Sequence, residues 1–349
     1  MIHRILVALD GSKLAEQALP HASVLASVTG AELFLVAAMV PPDRWTDDGA
    51  VARWEQEEEA AAARYLDVVR DRLREKGTAV RTKVVWGRAP VVIAAVAEDE
   101  AADIIALTTH GRSGITRWVM GSVADKVLHT SQKPLFLVRA QEEPPTLVGL
   151  KRILVPLDGS AVSEAALPFV ERLARQLRAK LLLEQVVLPA TAYAGVFIPS
   201  NVSVLEEIEA GAKDYLERIA KDAKRAGVTA EISIDIGYVA ETILEAAKVR
   251  KANLIALSTH GRSGPERWIM GSVADAVVRH AELPCLVLPS RTVASDSEKD
   301  QMMAAMPMAG QAVVPPPAVV EIPVEAAGKS VPAPVKGRHR PETTGRQSR

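Results

Sequence analysis

Residues 109–125 read THGRSGITRWVMGSVAD, and residues 259–275 read THGRSGPERWIMGSVAD, so 14 of 17 positions are unchanged. Glycine lets backbone amides come close to a ligand oxygen. A Gly-Ser pair opening a helical pattern adds unpaired N–H groups and the positive end of a helix dipole. Gly111, Gly114, Gly121 and Ser122 therefore have the composition of an anion cradle, and Gly261, Gly264, Gly271 and Ser272 repeat it. Each serine hydroxyl can add one donor. A second chemical feature lies about 100 residues earlier, where Asp10 ends the run ILVALD and Asp158 ends ILVPLD. An ionised carboxylate only accepts hydrogen bonds, so it suits a ribose hydroxyl or a base amine rather than a phosphate. The plainer alternative makes Gly114 and Gly264 turn glycines and Ser122 and Ser272 simple N-caps.

Other residue types in the repeated stretch leave alternatives open. His110 and His260 can hydrogen-bond a phosphate or the loop backbone. Neither has a Cys, His or carboxylate at metal-ligand spacing, so no metal site is expected. Arg112 and Arg262, with Arg117 and Arg267, can act as charge-assisted donors to phosphate, or can simply be solvated loop arginines. Trp118 and Trp268 suit pinning the loop against the fold. The lysine-containing phosphate loop G-x-x-x-x-G-K-[ST] is absent, as is the G-x-S-x-G nucleophile elbow. With no acid, base and nucleophile set, the expectation is a binding protein, not an enzyme.

The elements that must hold these residues also come in two copies. RILVALDGS (4–12) returns as RILVPLDGS (152–160), and KPLFLV (133–138) is matched by LPCLVL (283–288). The repeat of about 140 residues is domain-sized. It divides the chain into a first domain over 1–140, a linker over 141–150, a second domain over 151–291, and a Pro/Ala-rich tail over 292–349. Eight of the 22 prolines and no aromatic residue fall in that tail, a composition expected to stay disordered. Within the first copy, HRILVAL, AELFLVAAM, AVRTKVVW, ADIIALTT and PLFLVR read as strands. Helices are expected over 13–28, capped by Ser12 and kinked at Pro20, then over 50–76, from Pro90 through APVVIAAVAEDE, and over 122–130. Strict alternation of strand and helix predicts a doubly wound five-stranded parallel α/β sandwich, built twice. In such sheets ligands settle beyond the strand carboxyl ends where strand order reverses, which would bring Asp10 and the Gly-rich loop to one crevice.

Bulk properties set the outer limits. A chain of 349 residues with 48% hydrophobic and 24% charged content is an ordinary globular composition of about two domains. A formal net charge of −1 and 4% aromatics give no reason to expect nucleic acid as a partner. A single cysteine, Cys285, excludes an intrachain disulfide and fits a reducing compartment. With no signal-peptide pattern and no apolar run of about 18 residues, no membrane association is expected and the cytoplasm is the default location.

These motifs resemble the universal stress protein (UspA-like) family, and the chain is similar to a tandem two-domain member over about residues 1–290. The resemblance implies a nucleotide-binding α/β fold with strand order 3-2-1-4-5, and ATP (or ADP or AMP), with Mg accompanying ATP, as ligand. The ATP-binding branch carries Gly-x-x-Gly, nine residues, then Gly-Ser or Gly-Thr. Here Gly111, residues 112–120, Gly121 and Ser122 match, as do Gly261, residues 262–270, Gly271 and Ser272. The first glycine is replaced by Thr108 in one copy and Ser258 in the other. By the same resemblance, Asp10 and Asp158 serve the adenine and ribose end, and Ala38 and Val186 contact the base. Val123 and Val273, following the serines, complete the implied set. The implied role is a stress-response sensor or regulator acting on protein partners still unknown. The family's pairing through fifth strands implies an internal pseudo-dimer of the two domains, with a homodimer of whole chains as a further option. The alternatives are a nucleotide-independent stress or interaction protein with vestigial loops, or a slow ATPase.

Overall fold

Runs rich in leucine, valine and isoleucine, covered on both faces, form ten strands among the described residues of the computed structural model. It describes residues 2–40, 48–110, 120–142, 149–189, 202–259 and 270–289. In the first half, β1 (Arg4–Leu9), β2 (Glu32–Met39), β3 (Val80–Trp86), β4 (Ile104–Thr108) and β5 (Leu135–Val138) alternate with four helices. These are α1 (Ala18–Thr29), α2 (Asp48–Arg74), α3 (Ala89–Asp99) and α4 (Ser122–Thr130). The second half repeats the plan with β6 (Arg152–Pro156), β7 (Lys180–Val187), β8 (Ala230–Ile236), β9 (Leu254–Ser258) and β10 (Cys285–Leu288). Its helices are α5 (Ala161–Glu164), α6 (Leu167–Leu177), α7 (Val202–Arg225), α8 (Val239–Val249) and α9 (Ser272–His280).

All strands join one ten-stranded sheet in the order β3-β2-β1-β4-β5-β10-β9-β6-β7-β8. Each half therefore has the order 3-2-1-4-5 and is parallel throughout, as expected. The join is the one antiparallel pairing, β5 against β10, with Phe136 opposite Leu286 and Leu137 opposite Cys285. Phe136 and Leu286 are equivalent in the repeat, so a pseudo-twofold axis passes through their pair. The fifth-strand edges that each half would otherwise expose are consumed by this pairing. Across the same axis, Arg279 of α9 donates to Asp125 of α4 at 2.7 Å while also gripping Asp275 on its own helix.

Strand side chains alternate between two core layers. Ile5 and Val7 pack with Leu25 of α1 and Leu66 of α2, whereas Leu6 packs with Val96 of α3 and Val127 of α4. Phe34, Phe136 and most strand leucines are at most 1% exposed, each such side chain contributing about 1.5–3 kcal/mol on burial.

One expected helix differs. The segment over 13–28 begins as a 3-10 turn (Ala15–Gln17), and the α-helix starts only at Ala18. Pro20 thus falls in the first turn of α1, where its missing N–H has no intrahelical partner to lose, so it opens the helix rather than kinking it. Ser12 caps the 3-10 turn, its Oγ accepting from the Ala15 amide at 3.1 Å.

The lone cysteine sits in β10, 2% exposed, and burial pushes its thiol up to about 12. Because the thiolate is the reactive form, Cys285 in the native chain should not react with an aromatic disulfide reagent near neutral pH. One equivalent should react once denaturant unfolds the sheet. Prompt labelling of the folded chain would contradict this packing.

Candidate nucleotide site

At the carboxyl end of β1 the chain turns through Gly11, whose φ of 83° is left-handed. Asp10 fixes that turn: its Oδ1 accepts from the Ser12 amide at 3.0 Å and from the Ser12 hydroxyl at 2.6 Å. The second half repeats the device, with Gly159 at φ 79° and Asp158 accepting from Ser160 at 3.0 and 2.6 Å. The triplet Asp-Gly-Ser is thus an Asx turn that holds the carboxylate at the crevice.

β1 and β4 are neighbours at the point where strand order reverses. Beyond their ends lies a pocket of about 230 Å³. Asp10, Ala38, Thr108, His110, Gly121, Ser122 and Val123 all line it, brought together from β1, β2, the exit of β4 and the start of α4. Gly111, Arg112 and Gly114 lie outside the described residues, as do His260, Gly261, Arg262 and Gly264 of the second copy. The remaining lining was not singled out in the sequence. Val36, Ala89, Ile93 and Leu107 form an apolar wall. Their spacing matches the ordinary buried faces of strands and helices, so no signal separated them from core.

The exit of β4 is tied back on itself. The Thr108 hydroxyl donates to the His110 carbonyl at 2.6 Å, and the Gly121 amide donates to the Thr109 carbonyl at 2.7 Å. The first bond gives the threonine at the missing-glycine position a structural task. The second means that the Gly121 N–H closes the loop and is not a donor for a ligand. A Cβ on Gly121 would stand 2.9 Å from the Thr109 carbonyl oxygen, so glycine is required by this close approach. The amides left without an intrahelical acceptor at the helix start are those of Ser122, Val123 and Ala124, whose positions have no i−4 carbonyl within α4. All three residues line the pocket. The N-cap is Gly121 itself, so no side chain caps the helix.

His110 is 8% exposed. Its Nδ1 lies 3.0 Å from the Thr109 hydroxyl, and its Nε2 is buried without a hydrogen-bond partner among the described residues. In the tautomer where the hydroxyl donates to Nδ1, the ring hydrogen sits on Nε2 and is a donor in the pocket wall; in the other tautomer Nε2 is an acceptor. Among the described residues no group of three or more His, Cys, Asp or Glu could hold a metal ion. No helix among them is long and apolar enough to cross a membrane.

The second half keeps the frame. Gly271 donates to the Thr259 carbonyl at 2.7 Å and caps α9, with Ser272 and Val273 following, Ser258 ending β9 and Val186 near the end of β7. Its wall is different. Val36 is replaced by Glu184 and Ala15 by Ser163. Glu184 is 0% exposed, and when ionised neither carboxylate oxygen has a hydrogen-bond partner. Burial pushes its carboxyl up to about 9, reinforced by Asp235, to which the protonated acid donates. Arg250, 3.8 Å from Glu184 and 3.6 Å from Asp235, opposes that shift, and the Asp235 carboxyl is held below its usual range first by the hydrogen bond from Glu184, then by Ser233 and Arg250.

A parallel sheet with a crevice at the reversal of strand order, built twice in one chain, defines a tandem doubly wound α/β protein. More specifically, the chain belongs to the universal stress protein family, whose model matches residues 1–139 and again 149–289. A universal stress protein of Mycolicibacterium smegmatis is 26% identical over 302 residues, covering 82% of this chain and 97% of that protein. One of Methanocaldococcus jannaschii is 32% identical over 140 residues, covering 40% of this chain and 81% of that protein. Among solved structures, a universal stress protein from Archaeoglobus fulgidus superposes with a TM-score of 0.62 at 18% identity, covering 82% of this chain and 98% of that one.

Proposed function

We propose that the chain binds an adenine nucleotide, ATP in the first instance, at the strand-reversal crevice of each half. On this reading it acts as a stress-response sensor or regulator through protein partners, not as an enzyme. The observation that carries this reading is the pairing of an uncapped helix N-terminus with the unpartnered Nε2 of His110 in one pocket. Three amides, a helix dipole and a ring N–H make an anion end. Asp10, with the apolar wall of Val36 and Ile93, makes a compartment for sugar and base. At about 230 Å³ the pocket suits a ligand whose phosphates run out along the start of α4 rather than one wholly enclosed. Any Mg2+ would arrive with those phosphates, since the described residues supply no carboxylate cluster of their own.

Mass spectrometry of the denatured purified chain should detect co-purified ATP or ADP, and calorimetry should give saturable ATP binding. No binding up to about millimolar ATP, a free energy of only about −4 kcal/mol, would sink this reading in favour of a nucleotide-independent interaction protein. Steady phosphate release lost on Asp10→Ala with Asp158→Ala would instead make the chain an ATPase.

A further inference from the structure

A second cavity, of about 400 Å³, opens where the two halves meet beside α1. The pseudo-twofold axis creates two such corners, and the duplication made them equivalent at the start. At the first corner stand Lys13, Gln17, His21 and Arg139. At the second, the same repeat positions are Ala161, Ala165, Phe169 and Pro289. Pro20 at the first corner is matched by Pro168 at the second, so the backbone frame is common to both. These four differences run toward polar groups at the first corner, while Leu283 there is matched by Lys133 at the second.

Packing does not account for His21. Phe169 is the fold's apolar answer at that position, whereas His21 is 8% exposed and its Nδ1 is buried without a partner. The ring packs 5.9 Å from Phe136 and forms part of the cavity wall. An unmade hydrogen bond on a buried nitrogen costs about 1–3 kcal/mol. Gln17 braces the rim, its amide nitrogen donating to the Gln141 carbonyl at 2.7 Å and its amide oxygen accepting from the Gln141 N–H at 2.8 Å. The charges that face the space are Lys13, Arg139, Glu16 and Glu282. Glu16 is matched by Arg72 at 2.6 Å and by the Tyr65 hydroxyl, and Lys13 and Glu282 are both exposed at the rim, which leaves half-buried Arg139, whose guanidinium also donates to the His280 and Ala281 carbonyls at 3.4 and 3.3 Å, as the cation of the interior.

We propose that this corner is a binding site for a small oxyanion-bearing molecule, a carboxylate or a phosphate, gripped by Lys13 and Arg139 with His21 as its buried hydrogen-bond partner. The site is separate from the nucleotide pocket and exists once per chain.

The test follows imidazole proton resonances of the full chain during separate titrations with inorganic phosphate and with succinate. One resonance, absent from His21→Phe, should move saturably with one of the probes. Its midpoint should climb from about 4 toward neutrality as the site fills, because a bound anion favours the charged ring. A response to phosphate alone identifies a phosphate ligand, and to succinate alone a carboxylate. Lys13→Ala with Arg139→Ala should weaken the responding probe at least about tenfold. His21→Phe should fold, since Phe169 occupies the matching place. A His21 resonance indifferent to both probes overturns the proposal. So does a response that survives the Lys13/Arg139 double substitution.

Discussion

Gly121→Val combined with Gly271→Val should abolish ATP binding in both halves, with a loss of affinity greater than about 100-fold, close to 3 kcal/mol. The cause is steric. Gly121 has φ −60°, which valine tolerates, but its Cβ would press to 2.9 Å against the Thr109 carbonyl oxygen. That same oxygen accepts the Gly121 amide at 2.7 Å, so relief requires moving either the exit of β4 or the first turn of α4. Either movement misaims the three amides and displaces His110. Only the edge of one core layer, at Met120 and Ala124, adjoins the change, so thermal unfolding should stay cooperative, with a penalty of about 1–3 kcal/mol typical of overpacking. Calorimetry beside a thermal melt separates the two effects, and unchanged affinity in a folded double variant would refute the site. Ser122→Ala, which removes one hydroxyl and no amide, should cost only about 0.5–1.5 kcal/mol of binding.

The second large effect is a pH dependence of stability set by Glu184. Its folded carboxyl titrates at about 9 against an ordinary value of 4.5. The folded chain therefore keeps a proton that the unfolded chain releases. That contribution is full below pH 4.5 and is lost as pH rises toward 9. Each pH unit across this window removes about 1.4 kcal/mol. His21 has the opposite sign. Burial lowers it to about 4, so its neutral form stabilises the fold above 6.5 and that contribution fades as pH falls toward 4. The two slopes oppose one another between 4.5 and 6.5, and above 6.5 Glu184 acts without that opposition. Denaturant titrations at pH 6.5 and 8.5 should show the wild-type chain losing about 2–3 kcal/mol that Glu184→Val retains. Valine is the residue at the matching position of the first half, Val36, so the replacement fits a wall of the same shape. Equal pH dependence in both chains would mean that Glu184 is ionised in the native state.

The strands and their order were legible because a doubly covered parallel sheet writes itself as short, nearly continuous apolar runs. The split of the first expected helix was not, since the pattern from Lys13 onward carries no break before Pro20. For the site, Asp10, Gly121 and Ser122 stood out because they are polar or glycine at strand and helix ends. Val36, Ile93 and Leu107 did not, because a ligand wall and a core wall are made of the same residues. The task of Gly121 was read as clearance for phosphate, and the structure assigns it to loop closure, a distinction only atomic distances could make. Glu184 escaped notice inside KLLLEQVV, where a lone acid reads as a solvent-facing strand position.

The antiparallel seam between β5 and β10 gives the molecule the geometry of a symmetric dimer without the genetic constraint of one. In a homodimer each substitution appears on both sides of the axis, so a residue that helps one subunit's contact and harms the other's cannot persist. Covalent fusion lifts that rule. Arg279 can reach across to Asp125 while its counterpart, His129, remains a different residue, and no arginine meets its own copy. The phenylalanine opposite number of His21, and the valine opposite number of Glu184, are further products of the same release. Two repeated halves thereby carry different residues at matching positions while sharing a single hydrogen-bonded sheet.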